Sequence, residues 1–334
     1  MLKSRAFRIA ISVVISLVFL GFAVAGVDWN EAWAAMRRAQ FLYCIPMTAG
    51  AVWQLYIRAQ RWRILLRPVG APQMKTLVAA TNIGFMANMV LPLRAGEVIR
   101  PVLVSRQENQ PLGGILATIV LERVFDIFTI LALFGMTTAL LPVSAEVTRA
   151  GYFLLAMASL IAVVAVFIRW QESTALSLLR WGLRPLPPNL SQPIEKFFGG
   201  FVQALHVLAS PAEMLRIVAW SFFLWLVLSA VFGCAILAFH LPVPTVLGSI
   251  AVCVIVAIAV SAPSAPGFIG AFQLGCVLGL QLFDVAKSDA IAMSIVLHVT
   301  QFVGVVGAGL YSLARQGMSL RQVEEVAEVD GTAA

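Results

Sequence analysis

Two arginines, a glutamate and two prolines share the stretch LPLRAGEVIRP, residues 91–101, between two runs apolar enough for a bilayer interior. A charge in hydrocarbon costs several kcal/mol, so Arg94, Glu97 and Arg100 must face protein, water or headgroups. If the chain is helical from Gly96, Glu97 and Arg100 lie three apart on one face and can pair. One glutamate cannot neutralise two fixed arginines, and the forked donors of arginine suit a phosphate. The competing reading is an interfacial loop whose arginines reach lipid headgroups.

Two further clusters follow. In LERVFD, Glu122 and Asp126 are four apart on one helical face, with Arg123 three before Asp126, so the trio can be largely self-neutralising. Such a group either braces a re-entrant loop, by pairing with Arg94 or Arg100, or lines a polar path for a headgroup or protons. In SAPSAPGFIGAFQ, residues 261–273, Ser261, Ser264 and Gln273 supply hydrogen-bonding groups beside a break at Pro266, Gly267 and Gly270. Backbone amides exposed at a half-helix start there would favour an anion.

These clusters need a membrane scaffold to position them. The 334 residues are 60% hydrophobic and 12% charged, with mean hydropathy +0.92, whereas a soluble domain is about 25% charged. The composition is that of an integral membrane protein. Cys44, Cys234, Cys253 and Cys276 are scattered singly and read as packing residues, and His206, His240 and His298 lie on different segments, so no metal site is expected. No phosphate-binding glycine loop, HExxH or paired-aspartate motif is present; an enzyme is not expected, and neither is a cofactor. The net charge of +7 resides at the ends of apolar segments, which points to lipid contacts and topology rather than nucleic acid.

Apolar spans are expected at 8–27, 41–58, 113–141, 150–168, 217–240 and 290–313. Two shorter apolar segments, 76–93 and 246–283, are interrupted by proline and glycine and read as broken or re-entrant helices facing a protein-walled cavity. The fold class is thus all-α and polytopic, with about six full spans and two re-entrant helices. With the N-terminus inside, most of the 23 Lys and Arg fall on the cytoplasmic side, which places both termini there. The first apolar segment has no cleavage site before DWNEAW and reads as a retained helix. Residues 1–334 form one transmembrane domain. The halves 1–141 and 150–313 repeat the order span, span, re-entrant segment, span with opposite orientation, and residues 169–216 form a cytoplasmic connector with an amphipathic helix.

At these residues the sequence resembles the lysylphosphatidylglycerol synthetase transmembrane-region family of flippase-like proteins. The resemblance rests on P-x-R-x-G-E-x-x-R (Pro92, Arg94, Gly96, Glu97, Arg100), on E-R-x-x-D (Glu122, Arg123, Asp126), and on a P-x-P-G-x-x-G-like break (Pro263, Pro266, Gly267, Gly270). It implies movement of a polar, phosphate-bearing or aminoacylated lipid across a bacterial inner membrane, with membrane lipids, and lipid-synthesis enzymes of hopanoid or glycolipid pathways, as partners. The alternative is a non-transporting partner of such a pathway. The family often carries a glutamate shortly after the second break, where this chain has Gln273. No soluble domain follows the last span, so lipid aminoacylation within this polypeptide is not expected. Lipid identity, transport direction, energy coupling and oligomeric state are not encoded in these motifs.

Overall fold

The computed structural model describes residues 2–140, 145–261, 265–319 and 322. Pro263, Ser264, Arg321 and the acidic tail EEVAEVDG lie outside them.

The described residues are helical, joined by short turns, with α1 (Leu2–Val24), α2 (Trp29–Arg38), α3 (Cys44–Leu66), α4 (Met74–Val90), α5 (Gly96–Glu108), α6 (Leu112–Leu140), α7 (Ala145–Trp170), α8 (Glu172–Leu183), α9 (Pro188–Leu205), α10 (Pro211–Ala238), α11 (Thr245–Ser261), α12 (Ala271–Gln281) and α13 (Lys287–Gln316). Among them α10 and α13 are long and apolar enough to cross a membrane. At about 1.5 Å per residue, α3 and α6 are long enough as well, but both carry charge in the middle.

Boundaries differ from the sequence expectation in ways that matter. The first helix ends at Val24 and turns by 83° into α2, because Asp28 accepts hydrogen bonds from the amides of Asn30 and Glu31 and starts a new helix there. Lys287 holds the end of α1 by donating to the carbonyls of Phe22 and Ala25. The span expected to stop at residue 58 continues to Leu66, and Arg61, Trp62, Ile64, Leu65 and Leu66 in its last two turns are buried. The connector 169–216 forms α8 and α9 and leads into α10. Glycine makes the α6–α9 approach possible: a Cβ on Gly200 would lie 2.5 Å from the Gly114 amide nitrogen.

Packing follows a membrane protein's inverted logic. Phe222, Leu226, Val299 and Leu310 point outward from α10 and α13, where lipid covers them. Two large apolar cores lie inside, beside a small one between α2 and α13. One joins the C-terminal half of α3 with α4, α5 and the start of α6, and the other joins α10, α11, α12 and α13. Helix α6 belongs to both, through Ile115 to Phe125 in the first core and Leu133 and Phe134 in the second. Asp126 sits between them.

Candidate functional site: a charged cavity between two helix breaks

Helix α3 presents Gln54, Arg58 and Arg61 at spacings of four and three, so they stack on one face. Helix α6 presents Glu122 and Asp126 to that face. Arg61 donates to Asp126 at 2.6 Å and to the Ser221 hydroxyl at 2.9 Å. Arg100 grips Glu122 with both ends of its fork, at 3.1 and 2.6 Å. Arg58, held by Gln54 at 2.6 Å, lies 3.9 Å from Glu122 and 3.6 Å from Asp126. Arg123 lies 3.4 Å from Glu122 and 3.8 Å from Asp126. Trp225 donates to Asp126, and the Arg100 guanidinium stacks 3.9 Å above the Trp62 ring.

The cluster is almost dry. Glu122 and Arg61 are fully buried and Asp126 nearly so. Burying an ion is tolerated only where partners replace its water, and here four arginines surround two carboxylates. The replacement is incomplete: Arg58 Nη1, Arg123 Nε and Asp126 Oδ2 are buried without a hydrogen bond.

The first break follows α4. Gly96 opens α5 because nothing larger fits: a Cβ there would lie 1.7 Å from the Gly84 carbonyl oxygen. Asn88 closes the turn by accepting from the Gly96 amide at 2.9 Å. Arg94 adopts a left-handed φ of 53°, uncommon for a residue with a Cβ. Its guanidinium donates to the Val260 carbonyl and sits 5.4 Å above the Phe268 ring.

Those partners belong to the second break. There Gly267, Phe268 and Gly270 are all left-handed, with φ of 69°, 60° and 86°. The Ala265 amide donates to the Ser16 hydroxyl of α1. A Cβ on Gly267 would lie 3.2 Å from the Met89 carbonyl oxygen, so the two breaks touch. Gln273 caps α12 by accepting from the Gly270 amide at 2.8 Å, and its Nε2 meets His298 Nδ1 at 2.9 Å.

Between the breaks and the charged cluster lies a cavity of about 320 Å³. Arg94, Glu97, Arg123 and Asp126 line it, joined by Arg58 and His298. Gly96, Arg100 and Glu122 stand behind the wall, where they hold it together. Pro266, Gly267 and Gly270 build the second break, and Gln273 is one step removed from the cavity, through His298. The arrangement meets one expectation and corrects another. Arg100 pairs across the bundle with Glu122, the bracing contact expected of the LERVFD cluster, because α5 turns that face toward α6. The Gly270 amide, by contrast, is not open to an anion, since the Gln273 side chain already occupies it.

Sequence reasoning missed Arg58 and Arg61, which it counted as cytoplasmic topology signals, and His298. The signal for the arginines was present: the apolar pattern of α3 continues through Trp62, Leu65 and Leu66, and it carries Gln54, Arg58 and Arg61 along one face. Among the described residues no group of three His, Cys, Asp or Glu side chains could hold a metal ion.

Comparison with known proteins agrees with the membrane reading. The family model described as lysylphosphatidylglycerol synthase TM region matches residues 9–309. A 139-residue stretch is 27% identical to the protein named glycosyltransferase AglD of Haloferax volcanii, covering 40% of this chain and 22% of that relative's length. No solved structure matches. The match over nearly all of α1 to α13 places this membrane protein in one family: the chain belongs to the lysylphosphatidylglycerol synthase TM-region family.

Proposed function

We propose that the protein is a lipid transporter of the bacterial inner membrane that captures a polar, phosphate-bearing headgroup in the cavity between its two helix breaks. The observation that carries this reading is the cavity wall itself, where Arg58, Arg94 and Arg123 outnumber Glu97 and Asp126 beside an otherwise mostly apolar lining. Such a wall suits an amphiphile with an anionic head. In this reading six segments cross the bilayer, both termini are cytoplasmic, and the two broken helices are equivalent parts of inverted halves. The packing supports the last point: α3 pairs with α10, α4 with α13 and α6 with α11, the exchange of partners that a two-fold relation between halves produces. The proposed role is movement rather than catalysis.

The test is leaflet accessibility of fluorescent lipids in proteoliposomes, with quencher added outside. Protein-dependent loss of inner-leaflet signal that disappears in Arg94→Ala supports transport. A folded protein that moves no lipid overturns it.

A second reading is a non-transporting partner in a lipid or glycolipid pathway. The network around Glu122 and Asp126, which braces α3, α5 and α6, favours it, as does the glycosyltransferase name of the archaeal relative.

A further inference from the structure

The charge in the cavity is distributed unevenly along the chain. Every charged side chain that lines it comes from residues 58–126: Arg58, Arg94, Glu97, Arg123 and Asp126. Every lining residue from Trp225 onward is uncharged, and its polar members there include Ser261, His298 and Gln301. His298 is itself held neutral by the hydrogen-bond network. Because the Gly270 amide donates to Gln273 Oε1, the amide nitrogen of Gln273 faces the imidazole, and His298 Nδ1 must accept.

The charged side has more cations than it can use. In and directly behind the wall, five arginines (Arg58, Arg61, Arg94, Arg100, Arg123) face three carboxylates (Glu97, Glu122, Asp126), leaving two positive charges over. A phosphate in the cavity supplies the missing negative charge to the guanidinium groups of its wall. An ammonium group finds no such place. Asp126 receives Arg61 and Trp225 on Oδ1, and its Oδ2, though without a hydrogen bond, has Arg58 and Arg123 at 3.6 and 3.8 Å, Glu97 lies three residues from Arg94 on the same wall, and the rest of the lining carries no carboxylate among the described residues.

We infer that the cavity selects lipids whose phosphate bears the only charge of the headgroup, with an uncharged, hydroxyl-bearing substituent lying against the neutral side, over zwitterionic and aminoacylated lipids. This rests on the lipid-binding reading above and names its substrate class. The physical basis is exclusion as much as attraction, because a headgroup amine would be buried beside surplus arginines.

The test is retention of defined lipids by the purified full-length protein, read by native mass spectrometry from equimolar phosphatidylglycerol, phosphatidylethanolamine and lysylphosphatidylglycerol. Phosphatidylglycerol should be retained over the other two by about tenfold, the effect of one charge-assisted hydrogen bond. That preference should vanish in Arg123→Gln, whose side chain is the most exposed of the four arginines around Glu122 and Asp126. Arg94→Gln gives a second readout. Equal or stronger retention of either amine-bearing lipid overturns the inference, and displacement of phosphatidylglycerol by equimolar glycerol 3-phosphate reassigns the site to a soluble phosphate and overturns it too. Transport is measured separately: lipid movement without headgroup preference sinks this inference alone, whereas headgroup preference without movement sinks the transport reading alone.

Discussion

Arg100 and Glu122, 22 residues apart in the chain, face each other through two hydrogen bonds in a site from which water is excluded. The pair ties the helix after the first break to α6, and it sets the local charge. The cluster around it has more arginines than carboxylates, so removing the acid and removing the base are not equivalent.

Glu122→Gln should destabilise the protein by about 3 to 5 kcal/mol, because it leaves Arg58, Arg61, Arg100 and Arg123 around Asp126 alone. Arg100→Gln should cost less, since it relieves the cationic surplus and leaves Glu122 with Arg61 still 3.5 Å away. Thermal unfolding of the two purified variants in one detergent gives the order. A larger loss for Arg100→Gln would mean that packing against Trp62, and not charge, dominates this contact.

Arg94 bridges the two breaks, so Arg94→Ala should slow lipid movement at least about tenfold, the loss expected for a charged hydrogen-bonding group. It lies at the cavity rim rather than in the dry cluster, and the variant should therefore fold. Glu97→Gln should behave likewise. Flux in proteoliposomes, alongside an unfolding midpoint, separates the outcomes. Failure of both variants to accumulate in the membrane would assign these residues to bracing instead.

Gly96→Ala should abolish folding, since its Cβ would overlap the Gly84 carbonyl and two backbones cannot yield as a side chain does. Gly135→Ala is the matched control. It sits within α6 with nothing within 4 Å of the added Cβ, and should raise stability slightly, by about 0.5 to 1 kcal/mol. Yield of monodisperse protein distinguishes the two.

Gln273→Leu removes the cap of α12 and strands the buried Gly270 amide, a loss of about 1 to 3 kcal/mol. Because this cap sits at the break, the loosening should be local. Cys276, one turn further along α12, is fully buried and free. In a background with Cys44, Cys234 and Cys253 replaced, its labelling by a maleimide should accelerate in Gln273→Leu. Unchanged labelling with a lowered global midpoint would show that the break has no independent mobility.

Much of this protein was determined by the sequence alone. Apolar runs of membrane length, and proline with glycine inside two of them, specify helices and their interruptions through local backbone chemistry, and the breaks at Pro92 to Gly96 and Pro266 to Gly270 are where that chemistry puts them. The unusual charges at Arg94, Glu97, Glu122 and Asp126 were equally visible, because charge in an apolar run demands an explanation. Partnership was another matter. Arg58 and Arg61 look like the basic end of a span, and their burial depends on Asp126, which lies 65 residues from Arg61. An arginine at a helix end can snorkel to headgroups or turn inward to a carboxylate at similar local cost, and only the packing of α3 against α6 and α10 decided between them. The same holds for His298 and Gln273, a histidine and a glutamine that say nothing singly. The tertiary fold made them a cap, a hydrogen bond and one side of a cavity, since a pocket's charge is a sum over helices that the chain order keeps apart.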